Sequence, residues 1–209
     1  MANIWIGLCS ILALVWVSSG RIRRDDQTEV LVSDCLYSKW DAWIKCFDAN
    51  DDGVVALDDL KQTSDKFIHL HELIEEEKDA VEEQFNKWWT TILLWNGNEI
   101  TPDDFVTTQA NAFMHDRHGF VNRMQVGEEF FNSILDTDND GFISEKEESI
   151  FLVAVGQTDD KKNHDFFEGF TSEEKGEPIE EMTSIWVDYL TNEECSEIEN
   201  VIRYLDQKD

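Results

Sequence analysis

Basic residues are scarce in this chain. Seventeen lysines and arginines face 46 aspartates and glutamates across 209 residues, a formal charge of -29. A field of that sign repels phosphate backbones and anionic lipid, which argues against nucleic acid as a partner. Proline (two) and glycine (ten) are also few, too few for the many tight turns of a β-sandwich. No glycine-rich phosphate cradle and no serine elbow occur, so the common group-transfer sites are missing and no enzyme is expected. Long hydrophobic runs are absent too. The longest, Ile4 to Val17, has about 14 residues, against about 20 for a membrane span. What remains is 41% hydrophobic and 11% aromatic, enough to build a core and to exclude a disordered chain. The expectation is an all-α, cation-attracting protein.

The apolar run ends in Ser18, Ser19 and Gly20. Its length and small exit residues predict a cleaved secretory signal peptide over 1–20, with Ser18 and Gly20 at the −3 and −1 positions. No lysine or arginine precedes the run, so an uncleaved anchor is the competing reading. Arg21-Ile22-Arg23-Arg24 resembles a dibasic processing site, and Asp206-Gln207-Lys208-Asp209 is not a retention signal. A secreted protein, or one in the lumen of the secretory pathway, is expected, with no membrane attachment after signal cleavage. Removing the signal takes Cys9 with it. Cys35 and Cys46 then lie on one expected helix, about 16 Å apart, beyond disulfide reach. Either can pair with Cys195, leaving the other unpaired or bridged to another chain.

The strongest motif runs from Asp136 to Glu147. Oxygen side chains stand at loop positions 1, 3, 5 and 9 (Asp136, Asp138, Asp140, Ser144), glycine at 6 and glutamate at 12. Calcium takes six to eight hard oxygens near 2.3–2.6 Å. A chain wrapping the ion supplies them at these offsets, with the Phe142 carbonyl as the position-7 ligand. Gly141 permits the positive φ of the turn, and Glu147 can give two oxygens. A second copy runs from Asp48 to Asp59. Asp48, Asn50 and Asp52 take positions 1, 3 and 5, Gly53 takes 6, and Val54 gives its carbonyl. Here position 12 is Asp59, one methylene shorter, and Ala56 at position 9 has no side-chain oxygen. A carboxylate giving one oxygen lowers the coordination number, so Mg²⁺ is expected to compete with Ca²⁺ at this loop. Two calcium sites are therefore expected.

Such loops come in pairs. Phe85, Trp88, Trp89 and Ile92 copy the incoming helix pattern of Trp40, Trp43, Ile44 and Phe47. Counting on gives a loop over 93–104 with Leu93, Trp95 and Gly97 where ligands belong, so this hand is degenerate. Thr101, Pro102 and Asp104 should start its outgoing helix. A fourth loop near 171–183 has two possible registers. Ile179 at position 8 puts Ser172 at 1 and Thr183 at 12, whereas matching the outgoing face puts Phe170 at 1 and Glu181 at 12. Neither offers a full ligand set, and Lys175 adds a repelling charge. Short antiparallel contacts between paired loops should set Val55 against Ile100 and Ile143 against Ile179. Two pairs of hands follow, 30–118 and 119–190, divided near His118-Gly119. Thr191 and Glu194 suggest a cap for an extra C-terminal helix over 191–205.

Four hands, their spacing and an acidic chain rich in Trp and Phe resemble the EF-hand proteins of the calexcitin and sarcoplasmic calcium-binding protein family. The similarity covers about residues 30–205. It is carried by Leu31-Val32-Ser33-Asp34 before the Trp40–Phe47 helix and by Ile185-Trp186-Val187-Asp188-Tyr189-Leu190 at the last hand. The resemblance implies one compact body with a shared aromatic core and a role as calcium and magnesium buffer or signal protein. The signal peptide and the two lost sites depart from that family and point away from cytosolic buffering. A calcium buffer or structural calcium binder is the leading reading. An acidic low-affinity storage or matrix protein is the first alternative. The second is a photoprotein-like carrier whose tryptophans and 13 phenylalanines line a cavity for a small aromatic ligand. His69, His71, His115 and His118 read as surface or satisfied histidines, and Cys46 as a small apolar residue. Calcium is the partner the sequence identifies, and no feature singles out a protein partner.

Overall fold

The computed structural model describes residues 32–95, 97–169 and 175–195. The expected signal peptide and most of the expected helix over 191–205 lie outside them. Helix α1 (Asp34–Lys45) opens at Ser33, whose hydroxyl accepts from the Leu36 N–H at 3.1 Å, a favourable N-cap. Trp40, Trp43 and Ile44 recur at three-four spacing and are buried, with Phe47 just beyond. Strand β1 (Val55–Ala56) and α2 (Leu57–Leu70) complete the first hand. The second consists of α3 (Glu75–Trp88), strand β2 (Glu99–Ile100) and α4 (Pro102–His115). Thr101 caps α4 by accepting from the Asp104 N–H at 3.2 Å, with Pro102 in the first turn. The third has α5 (Arg117–Leu135), β3 (Phe142–Ile143) and α6 (Glu145–Ala154), and the fourth α7 (Asp160–Glu168), β4 (Glu177–Pro178) and α8 (Ile179–Thr191). The all-α expectation with paired loops holds. Among the described residues no helix is long and apolar enough to cross a membrane.

Strands β1 and β2 pair antiparallel with Val55 opposite Ile100, as the loop spacing predicts. The other pair corrects the expectation, because Ile143 faces Glu177 and not Ile179. Equivalence to Ile143 makes Glu177 position 8, so the fourth loop runs 170–181 with Glu181 at position 12. The apolar marker misled because Glu177 itself is buried, while Ile179 already opens α8. Gly176 explains the close approach. Its φ is +112°, and a Cβ there would collide with the Ile143 carbonyl. We predict that Gly176→Ala costs about 2 kcal/mol or more, read as a lower melting temperature, with the first pair's strand contact intact.

Both halves meet in one aromatic core. Phe47 lies between Trp88 (5.4 Å), Trp89 (5.5 Å), Phe131 (6.3 Å) and Phe151 (6.3 Å). Trp88 stacks on Phe131 at 4.5 Å and donates its indole N–H to the Gly127 carbonyl at 3.0 Å. Such ring pairs add about 0.5–1.5 kcal/mol each beyond burial. The helix break between the halves falls at Asp116, two residues before the expected boundary, where the carboxylate accepts from the Gly119 N–H at 2.9 Å. The far end of α8 is tied to α1. Cys35 bridges to Cys195, choosing between the two pairings the sequence left open. The buried Lys39 ammonium donates to the Asn192 and Glu194 carbonyls at 2.9 and 2.6 Å, and the Trp40 indole donates to the Leu190 carbonyl at 2.9 Å. The Glu194 N–H does not go to Thr191. Thr191 ends α8, its hydroxyl donating to the Val187 carbonyl, and Asn192 instead accepts from the Glu194 N–H at 3.0 Å.

Two carboxyl groups outside the two expected ligand sets are buried, one of them next to Glu147. Burial pushes Glu128 on α5 from 4.5 to about 8, and Glu148 on α6 from 4.5 to about 7. A raised folded-state value means that the unfolded chain loses its proton first. The Glu128 contribution to stability is therefore full below about pH 4.5 and is lost as pH rises toward 8. We predict that Glu128→Gln removes a slope of up to about 1.4 kcal/mol per pH unit in that window. Urea melts at a series of pH values, with calcium held saturating, measure the difference.

Candidate functional site

The two loops expected to bind metal share one backbone plan. In the third hand Asp136 follows directly on α5, and its carboxylate turns back into the loop. Asp136 accepts from the Asp140 N–H at 3.0 Å and the Gly141 N–H at 3.0 Å. Asp138 accepts from the Asp140 N–H at 3.2 Å, and Asp140 from the Phe142 N–H at 3.0 Å. In the first hand Asp48 accepts from the Asp52 and Gly53 N–H groups at 3.2 and 2.8 Å. Asn50 accepts from the Asp52 N–H at 2.9 Å, and Asp52 from the Val54 N–H at 3.0 Å. Positions 4 and 6 match as well. Asp51 and Asn139 have φ of 59° and 57°, and Gly53 and Gly141 both have 86°. Left-handed backbone at these two positions folds the chain around a common point and turns the odd-numbered side chains inward.

Position 12 is where the loops differ. Glu147 has one oxygen accepting from the Thr137 N–H (2.8 Å) and hydroxyl (3.0 Å). Its other oxygen accepts from the Ser144 N–H (3.0 Å) and hydroxyl (2.7 Å). Ser144 in turn caps α6, so this glutamate is held in place by both flanks of its loop. Asp59 is fully buried and reaches the Asn50 and Ala56 N–H groups at 3.1 and 2.9 Å. Its shorter stem is fixed by two backbone donors instead of four groups, and Ala56 adds no hydroxyl.

The donor chemistry fits a hard divalent cation. Among the described residues one group of three acids brings ligand atoms within 4.8 Å of one another, namely Asp136, Asp138 and Glu147, with Asp136 and Glu147 buried. Burial raises the Asp136 carboxyl against the lowering effect of the Gly141 and Asp140 N–H bonds, with Glu147 and Asp138 adding like charge. Asp59 is raised in the same way, by burial first and by Asp48 and Asp58 in addition, against bonds from Ala56 and Asn50. Acids so arranged repel one another until a cation sits among them. Asp136, Asp138, Asp140, Glu147 and the Phe142 carbonyl would hold one ion. Asp48, Asn50, Asp52, Asp59 and the Val54 carbonyl would hold another.

The second loop has a different use. The chain leaves α3 through a π-turn (Trp89–Leu93), closed by the Leu94 N–H to the Trp89 carbonyl at 3.0 Å. Leu93 and Leu94, at positions 1 and 2, are thereby turned into the core. Trp95 at position 3 carries the Arg123 guanidinium 4.5 Å over its ring. Positions 1 and 3 of this loop thus carry apolar and aromatic side chains in place of oxygen ligands.

Two neighbours of the third loop escape a reading by motif. Lys175, at position 6 of the fourth loop, places its ammonium 3.2 Å from the Asp140 carboxylate and 3.6 Å over the Phe142 ring. The charge seen in sequence as disabling its own loop thus reaches a ligand of the paired one. We predict that Lys175→Gln raises calcium affinity at the third loop about two- to fivefold, a small effect because the pair is half exposed. Calorimetry on the variant measures it. His71 is the other. Its ring packs on Phe67 at 4.5 Å and its Nδ1 lies 3.3 Å from the Thr137 hydroxyl, so the end of α2 touches the third loop. Burial lowers its affinity for a proton, opposed by nearby Glu147. Linear spacing gives no hint of either contact.

No family model matches the chain. A sarcoplasmic calcium-binding protein of Mizuhopecten yessoensis is 28% identical over 166 residues, which cover 78% of this chain and 94% of that one. Among solved structures, the calcium-loaded apo form of the coelenterazine-binding protein from Renilla muelleri matches with a TM-score of 0.68 at 19% identity. That match covers 79% of this chain and 93% of the other. A structure of n-aequorin matches with a TM-score of 0.58 at 14% identity, covering 86% and 97%. The structural likenesses carry the fold, and the Mizuhopecten yessoensis protein carries the sequence relationship.

Proposed function

We propose that this chain, an EF-hand protein similar to the sarcoplasmic calcium-binding proteins, binds two calcium ions, at 48–59 and at 136–147. The observation that carries the reading is the repeated hydrogen-bond plan of the two loops, each with its position-1 aspartate accepting from the position-5 and position-6 N–H groups. That plan holds the loop oxygens through backbone donors, which lowers the ordering cost of binding. Magnesium competes at the first loop, because Asp59 and Ala56 offer fewer oxygens than Glu147 and Ser144.

Buffering or structural calcium binding in the secretory pathway or outside the cell is the role we assign. The Cys35–Cys195 disulfide suits an oxidising compartment. Calcium outside cells is on the order of millimolar, so a tight site there stays filled and acts as part of the structure. The aromatic contacts of Phe47 with Phe131 and Phe151 join the halves, which favours a closed body over two opening lobes. Calorimetric titration of calcium, with and without millimolar magnesium, tests the reading. Two sites at micromolar affinity or tighter, one of them weakened by magnesium, support it. Many millimolar sites without a two-site step would instead identify an acidic storage or matrix protein.

A further inference from the structure

A cavity of about 50 Å³ lies between α1, α5, α6, α7 and α8. Most of its wall is apolar and aromatic, with Trp43, Phe131 and Trp186 among the lining residues. Glu128 and Glu148 also line it, at 2% and 4% exposure. Among the described residues no hydrogen bond or ion pair reaches either carboxyl group. The Gln157 side-chain amide lines the same space, and its nitrogen is buried without a partner. Buried polar groups are normally paired, because an unmet one costs about 1–3 kcal/mol. One orphaned amide nitrogen and two carboxyl groups around one hole are unusual for a hydrophobic core. Neither glutamate belongs to the calcium ligand set proposed above.

We propose that this cavity is a binding site for a small alkylammonium cation, held by Glu128 and Glu148 among Trp43, Phe131 and Trp186. An ammonium offers up to three donors, sufficient for two carboxyl groups, and no acceptor that they would repel. Indole and phenyl rings attract cations through their faces, an effect that grows when water is excluded. A cation also allows the buried Glu128 to ionise, which a neutral guest does not. The chain's charge of -29 concentrates cations around it. Size sets the limit. At about 10–15 Å³ per water, the cavity takes the volume of a few waters, which suits an amine of one to three carbons and excludes a large ring system.

The test uses the full, disulfide-bonded chain saturated with calcium, so that amine cannot report on empty calcium loops. Ethylammonium chloride and 1-propanol, guests of similar size, are titrated at constant ionic strength with tryptophan fluorescence and calorimetry as readouts. Saturable ethylammonium binding, at least tenfold tighter than propanol, is expected, together with at least a tenfold loss in Glu128→Gln. That variant is predicted above to gain stability toward pH 8, and its melting curve and calcium titration show that it is folded. Equal binding of propanol would make the cavity a plain apolar hole. Absence of saturable binding, or an affinity unchanged in Glu128→Gln, would assign the cavity to water and any amine uptake to the acidic surface. Each of these three results overturns the proposal. None depends on whether calcium binds tightly or weakly, so this test and the calcium titration fail separately.

Discussion

Glu147→Gln is expected to abolish calcium binding at the third loop over the working range, weakening it by about 100-fold, or ~2.7 kcal/mol. In the proposed ligand set the wild-type carboxylate would contribute charge and two oxygens, and both oxygens accept from donors of Thr137 and Ser144. Glutamine loses the charge and replaces one oxygen with an amide NH₂. Whichever way that amide turns, its NH₂ confronts N–H and O–H groups that need an acceptor, so the side chain is misplaced as well as neutral. The variant should retain one calorimetric site, at 48–59, with its affinity nearly unchanged. Glu147→Asp serves as the graded companion. It copies the position-12 residue of the first loop, and should weaken calcium less while making the third loop sensitive to magnesium. Loss of both sites in Glu147→Gln would mean that the loops do not act as separate centres.

The second large effect concerns the bridge between the ends of the described fold. Cys35 and Cys195 are separated by 160 residues, so the disulfide removes much of the freedom of the unfolded chain. Cys35→Ser, or reduction, is expected to cost about 3–5 kcal/mol on the chain-entropy account. At about 2–4 °C per kcal/mol for a chain of this length, the melting temperature should fall by about 10 °C. Lys39, Ser33 and Trp40 still hold the 190–194 segment through its carbonyls, so the fold should survive in the cold. Calcium affinity should change little, because the bridge joins α1 to the end of α8 away from both loops. Thermal melts with and without reductant, on wild type and Cys35→Ser, provide the check. Reductant without effect on the wild-type melt would contradict the assigned pairing.

The parts legible in sequence are those fixed by short-range chemistry. Asp136 to Glu147 could be read residue by residue because each loop position has its own demand, oxygen at odd positions and a left-handed turn at 6. The Val55–Ile100 contact followed by counting, since the second loop keeps its length although its ligands are gone. In the fourth loop the apolar marker Ile179 misleads, while the register matched on the outgoing face, with Glu181 at position 12, puts the buried Glu177 at position 8 as observed. The π-turn at Trp89–Leu93 was hidden for a related reason. It inserts a residue into the helical period, so the run Trp88 to Leu94 fits no single 3.6-residue stripe. Lys175 on Asp140 and His71 beside Thr137 depend on how separate hands dock, which periodicity does not encode. Glu128 and Glu148 sit in ordinary-looking amphipathic helices, and their burial opposite Trp43 and Trp186 exists only in the packed molecule. Cys46, read as a buried apolar residue, is half-buried and donates its thiol to the Ala42 carbonyl.

Two ions should bind, in the loops 48–59 and 136–147, with the other two hands empty. The amide protons of Gly53 and Gly141 report on this directly, because each donates to the position-1 aspartate of its own loop, at 2.8 and 3.0 Å. A cation drawn onto that aspartate polarises the bond and moves the proton downfield, so a calcium titration followed by amide NMR watches each loop separately. Both glycine signals should move and saturate at two calcium ions per chain, with Gly141 first and Gly53 alone perturbed by magnesium. Gly97 and Gly176, in the silent loops, should show no such shift. Saturation at any other stoichiometry, or movement of Gly97 or Gly176 in place of the first two, would contradict binding at these two loops.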